Sequence, residues 1–523
     1  MRQQYFPNPP AHESPKYRWP TGLRNERPPD PHPTQGHREN QQTPAAAECG
    51  SSTFPIPLAH ESPKYRWPTG LRNERPPAHA IPGKIRLSAA PKISEVIRQR
   101  LPERPRRPII SSRMTSSNPW FIAAVVGVLG VFHLEIIATF LNLAQFRHTL
   151  PQRLRDIFTT ETVQKAGEYA GASARLDLLR SAVSTAALIA FWWMGGFAWL
   201  ESWSTSWGWS EVMKGVAVIG LLMAVQNVLS LPFDVYDTFK IEAEYGFNRT
   251  TPGTFITDRL KGLALTALLG GPLLALLLWF FQTQRLAALY AWATVAAFSI
   301  LMAWLAPRLL MPLFLKFKPL ENGPLREALL GLAARLDFPV VDVSVVDGSR
   351  RSSKANAFLS GFGKNKRIAL FDTLIEKHST QELEAILAHE IGHHKCRHVP
   401  KQLILGLVES AVLFYLLYLA LHSDGFFAAF GVAGRPLSLG LVLFSILYQP
   451  LGLLLGLAGS ASSRKHEFEA DAFAKSACGS APLMTGLKKL SLDHLTHPNP
   501  HPLTVWLHYS HPPIGQRLAA LEG

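Results

Sequence analysis

Seven apolar runs, each about 20 residues long, decide what this chain can fold into. They lie near Trp120–Leu141, Ala182–Leu200, Val212–Leu231, Gly262–Phe281, Leu286–Ala306, Leu403–Leu421 and Leu437–Leu457. The fourth, LALTALLGGPLLALLLWFF, is almost purely apolar. In lipid every backbone N–H and C=O must be paired inside the segment, so runs of this length span as helices. One such run fits a buried soluble helix; seven exclude a soluble protein. The low charged fraction, 17% of the chain against about 25% in soluble domains, has the same origin.

Lysine and arginine bias orients the spans. The loop after the first span carries Arg147, Arg153, Arg155, Lys165, Arg175 and Arg180, whereas Glu201–Glu211 has no basic residue. The third loop carries Lys240, Arg249, Arg259 and Lys261; the fourth has only Arg285. The large fifth loop and the C-terminal tail are basic, and the sixth loop has only Arg435. This alternation predicts an outside N-terminus, with the fifth loop and the tail in the cytoplasm. His133, Glu135, Gln226 and Asn227 fall at membrane depth, where polar groups face a bundle interior or a hydrated cavity.

The first 113 residues are a different polymer. They hold 19 Lys and Arg against 9 Asp and Glu and 21 of the 40 prolines, leaving 34 basic and 29 acidic side chains for the other 410 residues. So +10 of the net +15 sits in a stretch without apolar periodicity, read as disordered. The basic balance therefore gives no reason to expect nucleic acid as a partner. The 19 residues AHESPKYRWPTGLRNERPP occur identically at Ala11–Pro29 and Ala59–Pro77, too perfect a copy for a structural repeat. We read the stretch as a mis-assigned gene start, with translation expected from Met114. Cys49, Cys396 and Cys478 make neither a disulfide framework nor a CxxC pair.

The chemistry is concentrated in the fifth loop and the tail. GPLREALLGLAARLDF predicts an amphipathic helix, VVDVSVVDG and KRIALFD predict strands, and QELEAILAHEIGHHKCRH a further helix. Within the last stands His389-Glu390-Ile391-Gly392-His393. Residues i and i+4 share a helical face, so both imidazoles can bind one Zn²⁺, with Glu390 near enough to act as general base. Ala388 and Gly392 permit close packing on the site. A catalytic zinc needs a third protein ligand, and none follows in HxxGxxH spacing. The candidate is Ser463–Ala472, SRKHEFEADA, in which Glu467 and Asp471 share one helical face. One of the two can bind metal while the other accepts the outward N–H of a ligand histidine. His393 precedes the sixth span and Glu467 follows the seventh, each by about ten residues, which puts the metal at the inner boundary of the bilayer.

The motifs HEIGHHKCRH, SRKHEFEADAFA, IEAEYGFNRTTPGTFITDRLKG (Ile241–Gly262), NAFLSGFG (Asn356–Gly363) and YSHPPIGQRL (Tyr509–Leu518), together with seven spans, resemble those of the type 1 CAAX prenyl proteases. These are integral-membrane zinc metalloendopeptidases of the gluzincin class. The resemblance covers about 400 residues, from about residue 118 to the end. It implies helices around a water-filled chamber and one Zn²⁺ held by His389, His393 and Glu467, with Glu390 as base. It implies further that Asp471 orients a ligand histidine, that His511 stabilises the oxyanion with Arg517 in support, and that Asn356, Ala357 and Phe358 form an edge strand that binds substrate. His394 and His398 are not carried over as ligands.

The expected architecture is mainly α: a polytopic membrane protein with seven transmembrane helices around a chamber plus a small α+β metalloprotease domain. The division runs 1–113 leader, 114–306 spans one to five, 307–400 the HExxH segment, 401–459 spans six and seven, and 460–523 the rest of the catalytic domain. The expected partners are the lipid bilayer and a membrane-associated or prenylated peptide or protein. The gene-start reading suggests a bacterial inner membrane. Two other readings are a quality-control protease of HtpX type, which has fewer spans, and a non-catalytic zinc-binding membrane scaffold or transporter. An intact Glu390 argues against the latter.

Overall fold

The structure, a computed structural model, describes residues 117–360 and 366–523. The leader with its repeat and Met114, and Gly361–Gly363 of the NAFLSGFG motif, lie outside the described residues. Among those described, seven helices are long and apolar enough to cross a membrane. The first five are α1 (Pro119–Arg147), α2 (Thr160–Trp193), α3 (Glu211–Glu244), α4 (Pro252–Thr283) and α5 (Ala287–Phe314).

Their starts follow local chemistry. Asn118, Thr159, Ser210 and Thr251 each accept a hydrogen bond from a first-turn backbone N–H, and Pro119 and Pro252 occupy first-turn positions where no N–H is needed. The second span differs from the expected Ala182–Leu200. α2 ends at Trp193 because Gly195 adopts φ +76°, and Leu200 belongs to a separate short helix, Gly196–Thr205. Hydropathy reads through such a break because both sides are apolar. α2 also begins 22 residues earlier than expected, since its polar first half is helical without being apolar.

After α5 comes the catalytic unit: β1 (Phe317–Pro319), α6 (Pro324–Arg335), β2 (Val340–Val346), β3 (Ala357–Ser360), β4 (Lys366–Phe371) and α7 (Thr380–Lys395). The sheet order is β1-β2-β4-β3, with β2 parallel to β4 and both outer strands antiparallel to their neighbours. β3 is therefore an edge. The predicted helix and strands of the fifth loop match α6, β2, β4 and α7. The chain re-enters the bundle as α8 (His398–Leu421) and α9 (Leu437–Cys478), then closes with α10 (Ser480–Asp493), α11 (Pro502–His508) and α12 (Ile514–Glu522).

α9 organises the molecule. It is one helix of 42 residues, so the seventh span and the Glu467 motif are continuous, and a division at 459/460 falls inside it. It packs against α1, α3, α7 and α8. α1 reaches it at Gly127, where a Cβ would stand 2.8 Å from Pro450 Cγ. Two cores result. Trp192, Phe197, Phe426, Phe427 and Phe430 pack at one end of the bundle, with Trp192 stacked on Phe430 at 4.6 Å. Leu329, Leu332, Leu383, Leu387, Ile391, Leu483 and Leu518 form the core of the catalytic unit. In that unit each fully buried Leu or Ile contributes about 1.5–3 kcal/mol.

α7 is anchored by a capping box. Ser379 Oγ accepts from Glu382 N, and Glu382 accepts from Ser379 N. Lys489 of α10 donates to the same carboxylate at 2.7 Å. Burial by itself pushes Glu382 up, but the bonds from Lys489 and Ser379 outweigh it and hold the carboxyl below its ordinary range. Glu382→Gln keeps the capping box but loses the ion pair with Lys489, and is expected to destabilise the protein by about 1 kcal/mol. Because the folded-state pKa is depressed, the difference between variant and parent should be full at neutral pH and vanish as pH falls through that depressed value. Thermal unfolding in detergent at several pH values checks both points.

Candidate metal centre

Helices α7 and α9 cross at Gly392. A Cβ there would meet Ala470 Cα at 3.1 Å and Ala470 O at 3.2 Å, so only glycine lets the two backbones come this close. The contact brings HExxH against the Glu467 motif. His389 Nε2 and His393 Nε2 lie 3.1 Å apart, and Glu467 faces both, with Oε1 3.2 Å from His393 Nε2 and Oε2 3.6 Å from His389 Nε2. His389 and Glu467 are buried, whereas Glu390 and His393 are only partly so.

Asp471, one turn beyond Glu467, takes the other side of His389. Its Oδ1 is 2.8 Å from His389 Nδ1, which donates to it. Arg517 of α12 donates to both Asp471 oxygens, Nη2 to Oδ1 at 2.6 Å and Nε to Oδ2 at 2.8 Å, and its Nη1 lies 3.4 Å from Glu467 Oε2. His511 Nε2 stands 3.4 Å from Glu467 Oε1 on a side chain open to the cleft. The sequence left open which carboxylate faces the imidazole Nε2 atoms and which the outward N–H; here Glu467 does the first and Asp471 the second.

These residues fit a metal ion. Among the described residues, His389, His393 and Glu467 form one of two groups able to hold one; the other is Cys396, His398 and Glu469. With His389 Nδ1–H given to Asp471, the Nε2 lone pair is left for a ligand. Two nitrogens on one tetrahedral zinc stand about 3.3 Å apart, close to the spacing found. Glu467 Oε2 is buried and accepts no hydrogen bond, although the Arg517 guanidinium and the His389 imidazole lie within 4 Å. A buried carboxylate oxygen left so is expensive unless a cation completes it.

Glu390 lines the same cleft, of about 1090 Å³, with His389, Glu467, His511 and Arg517. Burial pushes its carboxyl above the ordinary range, against the opposing pull of His389 and His393. The cleft also reaches Asn356 and Ala357. β3 begins at Ala357, and Asn356 extends its ladder by one residue: the Asn356 carbonyl accepts from Phe371 N of β4, while its Oδ1 accepts from Ala357 N. Phe358 packs between Phe317 and Phe371 and does not line the cleft. His394 is exposed, edge-on to Phe338.

A second polar cluster went unread in the sequence. Lys354 Nζ lies 3.1 Å from Tyr169 Oη and from both Glu242 oxygens, while Arg351 donates to Asp258. His494 Nε2 accepts from Ala355 N at 3.0 Å. Together these tie the segment before β3 to α2, α3, α4 and the tail. Glu242 and Asp258 sit inside the quoted Ile241–Gly262 motif, the one signal available. Glu135, noted at membrane depth, pairs with His508 at 3.0 Å, and Asn227 lines a separate cavity of about 1120 Å³ between α3 and α4.

Residues 139–316 match the CAAX prenyl protease N-terminal family of five membrane helices, and residues 319–523 match peptidase family M48. The chain is 36% identical over 404 residues to the CAAX prenyl protease 1 homolog of Oryza sativa, covering 74% of this chain and 94% of that one. The chain belongs to the CAAX prenyl protease 1 family. It is 32% identical over 434 residues to CAAX prenyl protease 1 of Saccharomyces cerevisiae, covering 77% of this chain and 95% of that protein. The crystal structure of S. mikatae Ste24p superposes with a TM-score of 0.74 at 32% identity, covering 77% of this chain and 99% of that one. The chain is thus an integral, multi-pass membrane metalloendopeptidase with the mainly helical fold of this family. M48 peptidases use a metal, generally zinc, for which the residues above provide a place.

Proposed function

We propose that this protein hydrolyses peptide bonds in membrane-associated, prenylated CAAX-type substrates, with His389, His393 and Glu467 as the metal ligands and Glu390 as the general base. The observation that carries the reading is Glu467, buried against two imidazole Nε2 atoms with one oxygen unsatisfied. Zinc held there supplies Lewis acidity for the scissile carbonyl and for water. Glu390 takes the proton of the attacking water and hands it to the leaving nitrogen; its burial suits it to carry that proton. Asp471 fixes the His389 tautomer, and Arg517 holds Asp471 and Glu467 in place. His511, beside Glu467 and open to the cleft, stabilises the oxyanion. The free edge of β3 offers Ala357 and its neighbours for strand addition by an extended peptide.

The Lys/Arg alternation supports a cytoplasmic cleft and an outside N-terminus. The bacterial reading has only the leader behind it, and the relatives named above are eukaryotic. The CAAX prenyl protease names of the relatives favour a prenylated substrate over general quality control. Purified protein should cleave a prenylated C-terminal peptide in preference to its unmodified twin, lose activity to a chelator and regain it with zinc. Activity indifferent to the chelator would sink the metal reading, and equal cleavage of both peptides would sink the prenyl preference.

The ligand set also predicts a pH effect. Burial alone pushes His393 down, but the hydrogen bond to Glu467 and the negative charges of Glu467 and Glu390 together outweigh this and raise it above an ordinary histidine. The metal competes with a proton for that nitrogen, so zinc affinity should keep climbing with pH to above about 6.5. Chelator competition between pH 5.5 and 8.5 checks this; an affinity flat above pH 6 would contradict it.

A further inference from the structure

His389 and His393 are held from behind in different ways. His389 Nδ1 meets a carboxylate directly, Asp471 at 2.8 Å. His393 Nδ1 meets another imidazole, lying 2.9 Å from His398 Nδ1. His398 Nε2 is in turn 2.9 Å from Glu469 Oε2. His398 is 3% exposed and stacks on His466, with centroids 4.1 Å apart and planes 13° from parallel.

We propose that His398 and Glu469 are positioning residues forming a proton-ordered relay that fixes His393 in the one tautomer able to bind metal. The inference rests on His393 being a ligand, as proposed above. A carboxylate only accepts, so His398 Nε2 carries the hydrogen and donates to Glu469. Neutral His398 then presents a lone pair at Nδ1, and the 2.9 Å contact requires His393 to donate its Nδ1–H. His393 Nε2 is left unprotonated, facing Glu467 and His389 Nε2. Lys401 Nζ at 4.0 Å and Lys465 Nζ at 3.8 Å favour the ionised form of Glu469. The relay joins α7, α8 and α9, so the ligand's tautomer is set where three helices meet.

The same contacts argue against reading Cys396, His398 and Glu469 as a second metal site. Both His398 nitrogens are already engaged, one by His393 and one by Glu469. The relay explains the buried histidine of HEIGHHKCRH that the ligand assignment leaves without a role.

The test is zinc affinity of the detergent-purified full chain, measured by competition with a chromophoric chelator, with the absorption spectrum of the cobalt-loaded protein as a second readout. His398→Leu removes the acceptor and should weaken zinc binding about 10- to 100-fold, with an altered cobalt spectrum. His398→Gln restores an acceptor oxygen and should stay within about 3-fold of the parent, an outcome that a mere packing role does not predict. Glu469→Leu, at the half-exposed end, should weaken binding at least about 3-fold even where His398→Leu fails to fold. Equal affinities for the Leu and Gln variants, or parental affinity in Glu469→Leu, would overturn the relay. No zinc binding by the unsubstituted chain would overturn the ligand reading beneath it.

Discussion

Glu390→Gln is expected to leave zinc bound at one ion per chain while proteolysis falls by about 10²–10⁴-fold. The two effects separate because Glu390 is not one of the three groups around the proposed metal position. Its carboxyl lines the cleft beside His389, and the amide has similar shape but no basic oxygen for a water proton. A similar loss of zinc and activity together would mean that Glu390 supports the ligands. Full activity in the variant would refute its role as base. Zinc stoichiometry and single-turnover cleavage on the same preparation distinguish these outcomes.

Arg517→Met is expected to cost about 3–5 kcal/mol in folded stability. The guanidinium is nearly buried, at 11% side-chain exposure, and lies against Asp471 at 2% and Glu467 at 5%. Removing it leaves two buried carboxylates with the imidazoles of His389, His393 and His511 as their remaining close partners. Added zinc should recover part of the loss by supplying positive charge at Glu467, so the destabilisation should be largest in chelator. Arg517→Lys keeps the charge but not the two-pronged bond to Asp471, and should fall between parent and Met. Unfolding of Arg517→Met at the parental temperature in both conditions would show that this ion cluster does not hold α12 to the site.

What the sequence made legible follows from the range of each signal. The spans were readable because lipid imposes a length and a composition: α1, α3, α4, α8 and α9 contain the predicted runs, and α5 misses its run by Leu286 alone. The α2 boundary was not, because Gly195 breaks the helix within an unbroken hydropathy signal. His389, His393 and the Glu467/Asp471 pair were legible because their spacing matches one helical turn. Which carboxylate faces which nitrogen came from resemblance and not from spacing, because it depends on how α7 crosses α9 at Gly392. His511 and Arg517 came from resemblance alone; the structure puts both within 3.4 Å of Glu467. Lys354 with Tyr169 and Glu242, and His398 with Glu469, join residues 71 to 185 positions apart, and no local pattern announces such pairs.

The unbroken length of α9 sets a reach limit on substrates. At about 1.5 Å per residue its 42 residues extend about 63 Å, roughly twice the hydrocarbon thickness of a bilayer. Glu467 stands 30 residues after Leu437, about 45 Å along the same rod. With the hydrocarbon starting at Leu437, Glu467 lies about 15 Å beyond the far edge of the apolar slab. An extended peptide crosses that gap in about five residues. A peptide tethered to the membrane by its own lipid, the substrate proposed above, would need at least about five residues between the tether and a bond presented at Glu390. Anchor and metal site share one helix, and Pro450, which lacks a backbone N–H, is the point where that rod can bend.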